Sequence, residues 1–276
     1  MAIDLRGKPI AITGASSGIG RATALACAHA GMPVLASARR EDRLRELVET
    51  IRAEGGRAEF AVADVSEPGS GERVVEACAS AFGGVYAAFA NAGYGYEAAH
   101  HQSAEQDVRD LFETNVFGTL RLLDAAIPRL IERRAGHLLV CSSCLSALPT
   151  PYYGAYSATK SAQHHLASAM RLELREHRVH VSTVHPVGTR TEFFDEAARR
   201  SGGARFLSRE DGPFMQTPER VARAIVACLK RPRPEVWTSA AARLGFHLSG
   251  LTPGLRDRAF TWVKRRRERE TSRESS

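Results

Sequence analysis

The chain has 276 residues, 43% apolar and 25% charged, enough for a sizeable core and typical of an ordinary globular protein. No run approaches the ~20 apolar residues of a membrane span, Met1–Lys8 does not read as a signal peptide, and five scattered cysteines indicate no disulfide framework, so a cytoplasmic setting is expected. Of the formal charge of +7, residues 256–276 hold eight Arg/Lys against four Asp/Glu, leaving a body too mildly basic to suggest a nucleic-acid partner.

Short β-branched apolar runs alternate with longer amphipathic stretches. The first run, Pro9–Thr13, leads into Thr13-Gly14-Ala15-Ser16-Ser17-Gly18-Ile19-Gly20 and then a helix over Ile19–Ala30. Gly14 permits a tight turn, Gly18 lets a diphosphate approach backbone N–H groups, and Gly20 allows close helix–strand packing. The helix dipole turns its positive end toward the phosphates, and Ser16, Ser17 and Ile19 join the expected cofactor site. The spacing is one residue longer than the usual Gly-x-Gly-x-x-Gly opening.

A second strand, Val34–Ala38, ends in Ser37-Ala38-Arg39-Arg40, with no carboxylate until Glu41 opens the helix Glu41–Ala53. A site for NAD(H) places Asp or Glu there for the ribose 2′-hydroxyl. Guanidinium groups instead pair with a 2′-phosphate. NADP(H) is therefore expected over NAD(H), with Arg39 the main contact and Ser37 or Arg40 in support. Strand Ala58–Ala63 runs into Asp64-Val65 on the adenine side, and helix Gly71–Ala81 follows. Strand Tyr86–Asn91 runs into the turn Asn91-Ala92-Gly93, which backbone and ribose can share.

A long helical pattern covers Ala104–Arg134, in two pieces with Gly118 near the break. Strand His137–Ser142 ends beside Ser143, and the helix Ala155–His177 carries Tyr156 and Lys160. This pair is i, i+4 and projects from one helical face. A free phenol with a pKa near 10 is a poor base, and a neighbouring ammonium favours its phenolate. Tyr156 can then exchange a proton with a substrate oxygen while Ser143 donates a hydrogen bond to it. Leu145 and Tyr153, with Tyr94, Tyr96, Ser146 and Tyr152, flank these positions and are assigned to the substrate side. Cys141-x-x-Cys144 reads as a strand end, not a redox pair. His100-His101 and His164-His165 lack the spacing and carboxylate company of a metal site and read as surface.

Strand His180–His185 precedes Pro186, and helix Pro218–Leu229 precedes strand Glu235–Thr238. The uninterrupted alternation predicts one α/β domain over residues 1–240, a Rossmann-like doubly wound parallel sheet of about seven strands. Between Thr191 and Gln216 the pattern lapses, but Phe193, Phe194, Phe206 and Phe214 favour a substrate lid. Residues 241–276 form a helical extension ending in Lys264-Arg265-Arg266-Arg267. This extension packs on the domain, forms a dimer contact or lies on a membrane surface.

Together these residues resemble the short-chain dehydrogenase/reductase family, classical type, over about residues 5–240. The family's spacing of serine to tyrosine selects Ser143 over Ser142. The resemblance implies a catalytic tetrad of Asn115, Ser143, Tyr156 and Lys160. In it, Asn115 sits at a helical irregularity that holds a relay water, and Lys160 binds the nicotinamide ribose. Pro186 and Thr191 match positions near the nicotinamide amide. Three features depart from the pattern: Ala90 replaces an asparagine, Val187 replaces a glycine, and the C-terminus is longer. The implied activity is NADP(H)-dependent interconversion of a small carbonyl compound and its alcohol, in a homodimer or homotetramer. A nucleotide-binding protein without turnover, and a peripheral membrane reductase of lipid-like substrates, are the alternatives.

Overall fold

A computed structural model, which describes residues 2–148, 150–201, 215–249 and 252–274, converts the alternating apolar runs into one parallel sheet. Its strands are β1 (Ile10–Thr13), β2 (Val34–Ala38), β3 (Ala58–Val62), β4 (Ala87–Ala90), β5 (Gly136–Cys141), β6 (Val179–His185) and β7 (Glu235–Trp237). They lie in the order β3-β2-β1-β4-β5-β6-β7. The chain runs outward from β1 to β3 and then returns to lay β4 on the other side of β1. That reversal opens a crevice beyond the carboxyl ends of β1 and β4, where a doubly wound sheet binds its ligands.

Both faces of the sheet are covered, so successive strand residues feed two cores. Ile10 and Ile12 point to one side with Val34 and Ala36, under α1 (Gly18–His29), α2 (Glu41–Ala53) and α8 (Pro218–Lys230). Ala11 and Leu35 point to the other, where α3 (Ser70–Phe82), α5 (Gly118–Arg133) and α6 (Gly154–Glu173) supply Val74, Leu122, Leu123 and Ala167. Fully burying each such Leu, Ile or Val contributes about 1.5–3 kcal/mol. This dual burial explains why the strands read as continuous apolar runs rather than alternating ones.

The long helical pattern is two α-helices joined by a π-helical turn. The first helix is α4 (Glu105–Phe112), the turn is Glu113–Phe117, and α5 follows from Gly118. The irregularity lies just before the expected break. Within it, the Asn115 carbonyl accepts from Thr119 Oγ1 at 2.8 Å and Gln163 Nε2 at 2.6 Å.

Within the segment expected to be a lid, α7 (Phe193–Arg200) is helical, and residues 202–214, with Phe206 and Phe214, lie outside the described residues. The C-terminal segment forms α9 (Ala240–Ser249) and α10 (Pro253–Glu274). Among the described residues, no helix is long and apolar enough to cross a membrane.

Candidate active site

The crevice is a cleft of about 860 Å³ that runs from the glycine-rich turn to Tyr156. On the turn side, Thr13 Oγ1 accepts from the N–H groups of Asn91 and Ala92 at 3.2 and 3.3 Å, and Asn91 Nδ2 donates to Thr13 O and Gly14 O at 3.1 and 3.3 Å. These bonds stitch the ends of β1 and β4 together. Gly18 has φ +53°, and a Cβ there would meet Thr191 Cγ2 at 2.9 Å; at Gly20 it would meet Gly14 O at 2.2 Å. Side chains at either position would fill the cradle or push the turn away. Ser17 precedes α1, whose first turn carries no acidic residue and whose Gly18 and Ile19 line the cleft.

Gly14, Ser16, Ser17, Gly18 and Ile19 all line this end, as do Arg39, Arg40, Asp64 and Val65. Arg40 is the guanidinium closest to the turn: it donates to Ser16 Oγ at 3.1 Å and pairs with Glu192 at 2.9 Å. Arg39 is 63% exposed and stands 3.8 Å from Asp64. The structure thus brings both arginines to the rim of the cleft. Ser37 does not join them, because its side chain is fully buried in the sheet and its hydroxyl has no hydrogen-bond partner.

Toward the centre lie Asn91, Ala92, Gly93, Pro186 and Thr191. Thr191 Oγ1 accepts from the N–H of Phe193 at 3.3 Å and so ties this stretch to the start of α7. Val187, where the family pattern has glycine, also lines the cleft, and its carbonyl accepts from Thr189 Oγ1 at 2.7 Å.

The four residues expected in the tetrad converge from three elements, and all are buried. Ser143 follows β5, Tyr156 and Lys160 stand on α6, and Asn115 lies in the π-turn. Ser142 Oγ donates to Lys160 O at 2.9 Å, which fixes it in the scaffold. Ser143 Oγ accepts from Leu145 N at 3.1 Å. Burial pushes the Tyr156 phenol up, Cys141 adds to this, and the neighbouring Ser143 opposes it. The expected lowering by Lys160 is not what this geometry gives. Its ammonium is 5.6 Å from the ring centroid and donates to Cys141 O at 2.8 Å and Gln163 Oε1 at 2.9 Å.

Leu145 and Tyr153 line the substrate end with Tyr94, Phe193 and Phe194. Tyr156 meets Tyr153 and Phe193 edge-on at 6.0 and 5.4 Å. The Tyr153 hydroxyl donates to Glu97 Oε2 at 2.9 Å, and Glu97 is 1% exposed. Glu97 and Gln163 were not singled out from the sequence. A lone acid in a loop carries no signal. Gln163 carried a faint one: it lies seven residues after Tyr156 on the same helical face.

His164 is corrected from a surface residue to a half-buried one. It packs edge-on against His185 at 5.2 Å, and these two with Glu235 bring ligand-type atoms within 4.8 Å of one another. Both His185 nitrogens are already engaged, Nδ1 with Ser143 O at 3.0 Å and Nε2 with Thr183 Oγ1 at 2.9 Å, and its ring stacks on Trp237. The cluster therefore serves to lock the Ser143 backbone from behind. Cys141 and Cys144 are free thiols, and burial pushes Cys144 up to about 11, away from redox reactivity.

Comparison with known proteins decides the family. The short chain dehydrogenase family model matches residues 8–201. The chain belongs to the short-chain dehydrogenase family. An uncharacterised oxidoreductase of Listeria monocytogenes is 32% identical over 232 residues, which is 83% of this chain and 92% of the relative. A short-chain dehydrogenase of Burkholderia phymatum, solved with NAD, is 26% identical with a TM-score of 0.83, covering 92% of this chain and 96% of that one. An alcohol dehydrogenase of Thermococcus sibiricus, solved with 5-hydroxy-NADP, is 30% identical with a TM-score of 0.74, covering 83% and 95%. This short-chain dehydrogenase is accordingly an oxidoreductase of the alcohol–carbonyl class that uses a nicotinamide cofactor.

Proposed function

We propose that the protein is an NADP(H)-dependent oxidoreductase that interconverts an apolar ketone or aldehyde and its alcohol. One observation carries this reading: the phosphate-type turn, two arginines and the Ser143/Tyr156/Lys160 group open into one cleft. The residues fit the cofactor. The α1 N-terminus and Gly18 would receive the diphosphate, Arg39 and Arg40 a 2′-phosphate, and Asn91-Ala92-Gly93 and Lys160 the ribose beside the nicotinamide. The nicotinamide would supply or accept the hydride. In this reading Ser143 orients the substrate oxygen and Tyr156 delivers or removes its proton. The aromatic walls formed by Tyr94, Tyr153, Phe193 and Phe194 favour an apolar substrate body. Of the segment expected to be a lid, α7 borders the cleft through Phe193 and Phe194.

The extension at 241–276 has exposed Leu244, Leu248, Leu255 and Trp262 among its basic residues. This supports contact with an anionic lipid surface.

The test follows NADPH absorbance across a panel of aliphatic and aromatic ketones and aldehydes, with NADPH and NADH affinities measured by fluorescence titration. Tight NADPH binding and turnover abolished in Tyr156→Phe are expected. Tight binding without turnover of any carbonyl would favour the silent binder. Co-sedimentation with anionic vesicles, lost on deleting residues 250–276, tests the lipid contact.

A further inference from the structure

The buried ammonium of Lys160 has a side-chain partner that the tetrad does not include. Lys160 is 4% exposed, and a charge so placed must be satisfied by fixed dipoles. Its Nζ donates to Cys141 O and to Gln163 Oε1 at 2.8 and 2.9 Å. Gln163 is itself 2% exposed, and its Nε2 donates to Asn115 O at 2.6 Å and Thr119 Oγ1 at 2.7 Å. The amide can point only one way. Flipping it would set its NH2 against the ammonium and its oxygen against the Asn115 carbonyl.

Asn115 is anchored in turn. Its side chain bonds the backbone of Tyr94 at 3.0 and 3.1 Å and Thr159 Oγ1 at 3.1 Å. Its carbonyl lies within the π-turn Glu113–Phe117.

We infer that Gln163 is a positioning residue for Lys160: it holds the ammonium at a fixed place and bridges it directly to the Asn115 carbonyl. The inference rests on the oxidoreductase reading for its meaning, but its geometry does not. Gln163 has no proton to pass on, so its effect is electrostatic. A carbonyl-type oxygen at 2.9 Å favours the charged amine. The titratable groups facing Nζ are Tyr156, on the same helix, and Cys141, at the end of β5. Burial pushes the Cys141 thiol up, so it stays neutral. Lys160 itself is pushed below the ordinary lysine value by burial.

The chain has four lysines, Lys8, Lys160, Lys230 and Lys264, so labelled-lysine NMR can follow each Nζ through a pH titration without knowing a substrate. Lys160 should titrate lowest. Gln163→Met removes the acceptor and should lower its midpoint by a further ~0.5–1 pH unit, while Gln163→Glu places a carboxylate there and should raise it by a similar amount. Opposite shifts in the two folded variants support the inference, and if Gln163→Met fails to fold, the upward shift in Gln163→Glu alone does so. A Lys160 midpoint unchanged in a folded variant overturns it. With a substrate in hand, Gln163→Met should move the pH profile of alcohol oxidation as well as kcat. Wild-type protein that turns over no carbonyl would count against the oxidoreductase reading and leave the NMR result standing.

Discussion

The two ends of the cleft are built on different principles. The glycine-rich end is mostly backbone: Gly14, Gly18 and Gly20 clear space, the start of α1 offers N–H groups, and Asn91 pins the turn to β4. Its charged side chains, Arg39 and Arg40, are exposed and held by surface ion pairs worth little in themselves. The Tyr156 end is made of buried side chains that satisfy one another: Lys160 with Gln163, Gln163 with Thr119, and Tyr153 with Glu97. A backbone cradle tolerates changes at its rim, whereas a buried polar network fails when one member leaves a partner unsatisfied. Changes at the first end should therefore alter which cofactor binds, and changes at the second whether the site works at all.

The largest effect should come from Tyr156→Phe. With the proton donor removed, kcat should fall about 10²–10⁴-fold, while NADPH affinity by fluorescence titration stays within a few-fold. A comparable loss of NADPH affinity would erase the division between the two ends.

Acid should act on the second end as well. Burial holds His185, behind Ser143, down to about 4. An unfolded histidine titrates near 6.5 and takes up a proton first, so stability contributed by the neutral ring is present above pH 6.5 and lost as pH falls toward 4. The loss amounts to up to about 3 kcal/mol. Thermal melts between pH 7.5 and 4.5 should show it, and His185→Gln should flatten that slope. An unchanged slope would remove His185 from the network.

At the first end, the Arg39→Ala/Arg40→Ala double variant should cut the NADPH-to-NADH affinity ratio about 10–100-fold, or ~1.4–2.8 kcal/mol, with NADH binding nearly unchanged. An unmoved ratio would reject the 2′-phosphate role. The smallest effect is expected from Tyr153→Phe, which removes the donor to Glu97 and should destabilise the fold by about 1–2 kcal/mol in urea unfolding. It should also raise KM for an apolar substrate less than it lowers stability.

Much of this arrangement was legible in the chain. Helix ends and strands followed from apolar periodicity and from glycines at positions of forced geometry. The pairing of Tyr156 with Lys160 followed from i, i+4 spacing. The ammonium's effect on the phenol was misjudged because spacing puts two groups on one face without saying where each side chain turns. Lys160 turns to the end of β5, and burial then dominates Tyr156. His164 misled for the same reason: its sequence position does not show that its neighbours in space are His185 and Phe246.

The sequence by itself determined the sheet, the glycine-rich turn after β1 and the shared helical face of Tyr156 and Lys160, because these depend on local period, glycine conformation and i, i+4 spacing. Only the tertiary structure decided that Gln163 joins Lys160 to Asn115, that Glu97 lies under Tyr153, and that Ser37 faces away from the cleft. The first two depend on groups 48 and 56 residues apart, Gln163 with Asn115 and Tyr153 with Glu97. Their meeting is set by strand order and by which buried polar atoms must find partners once water is excluded.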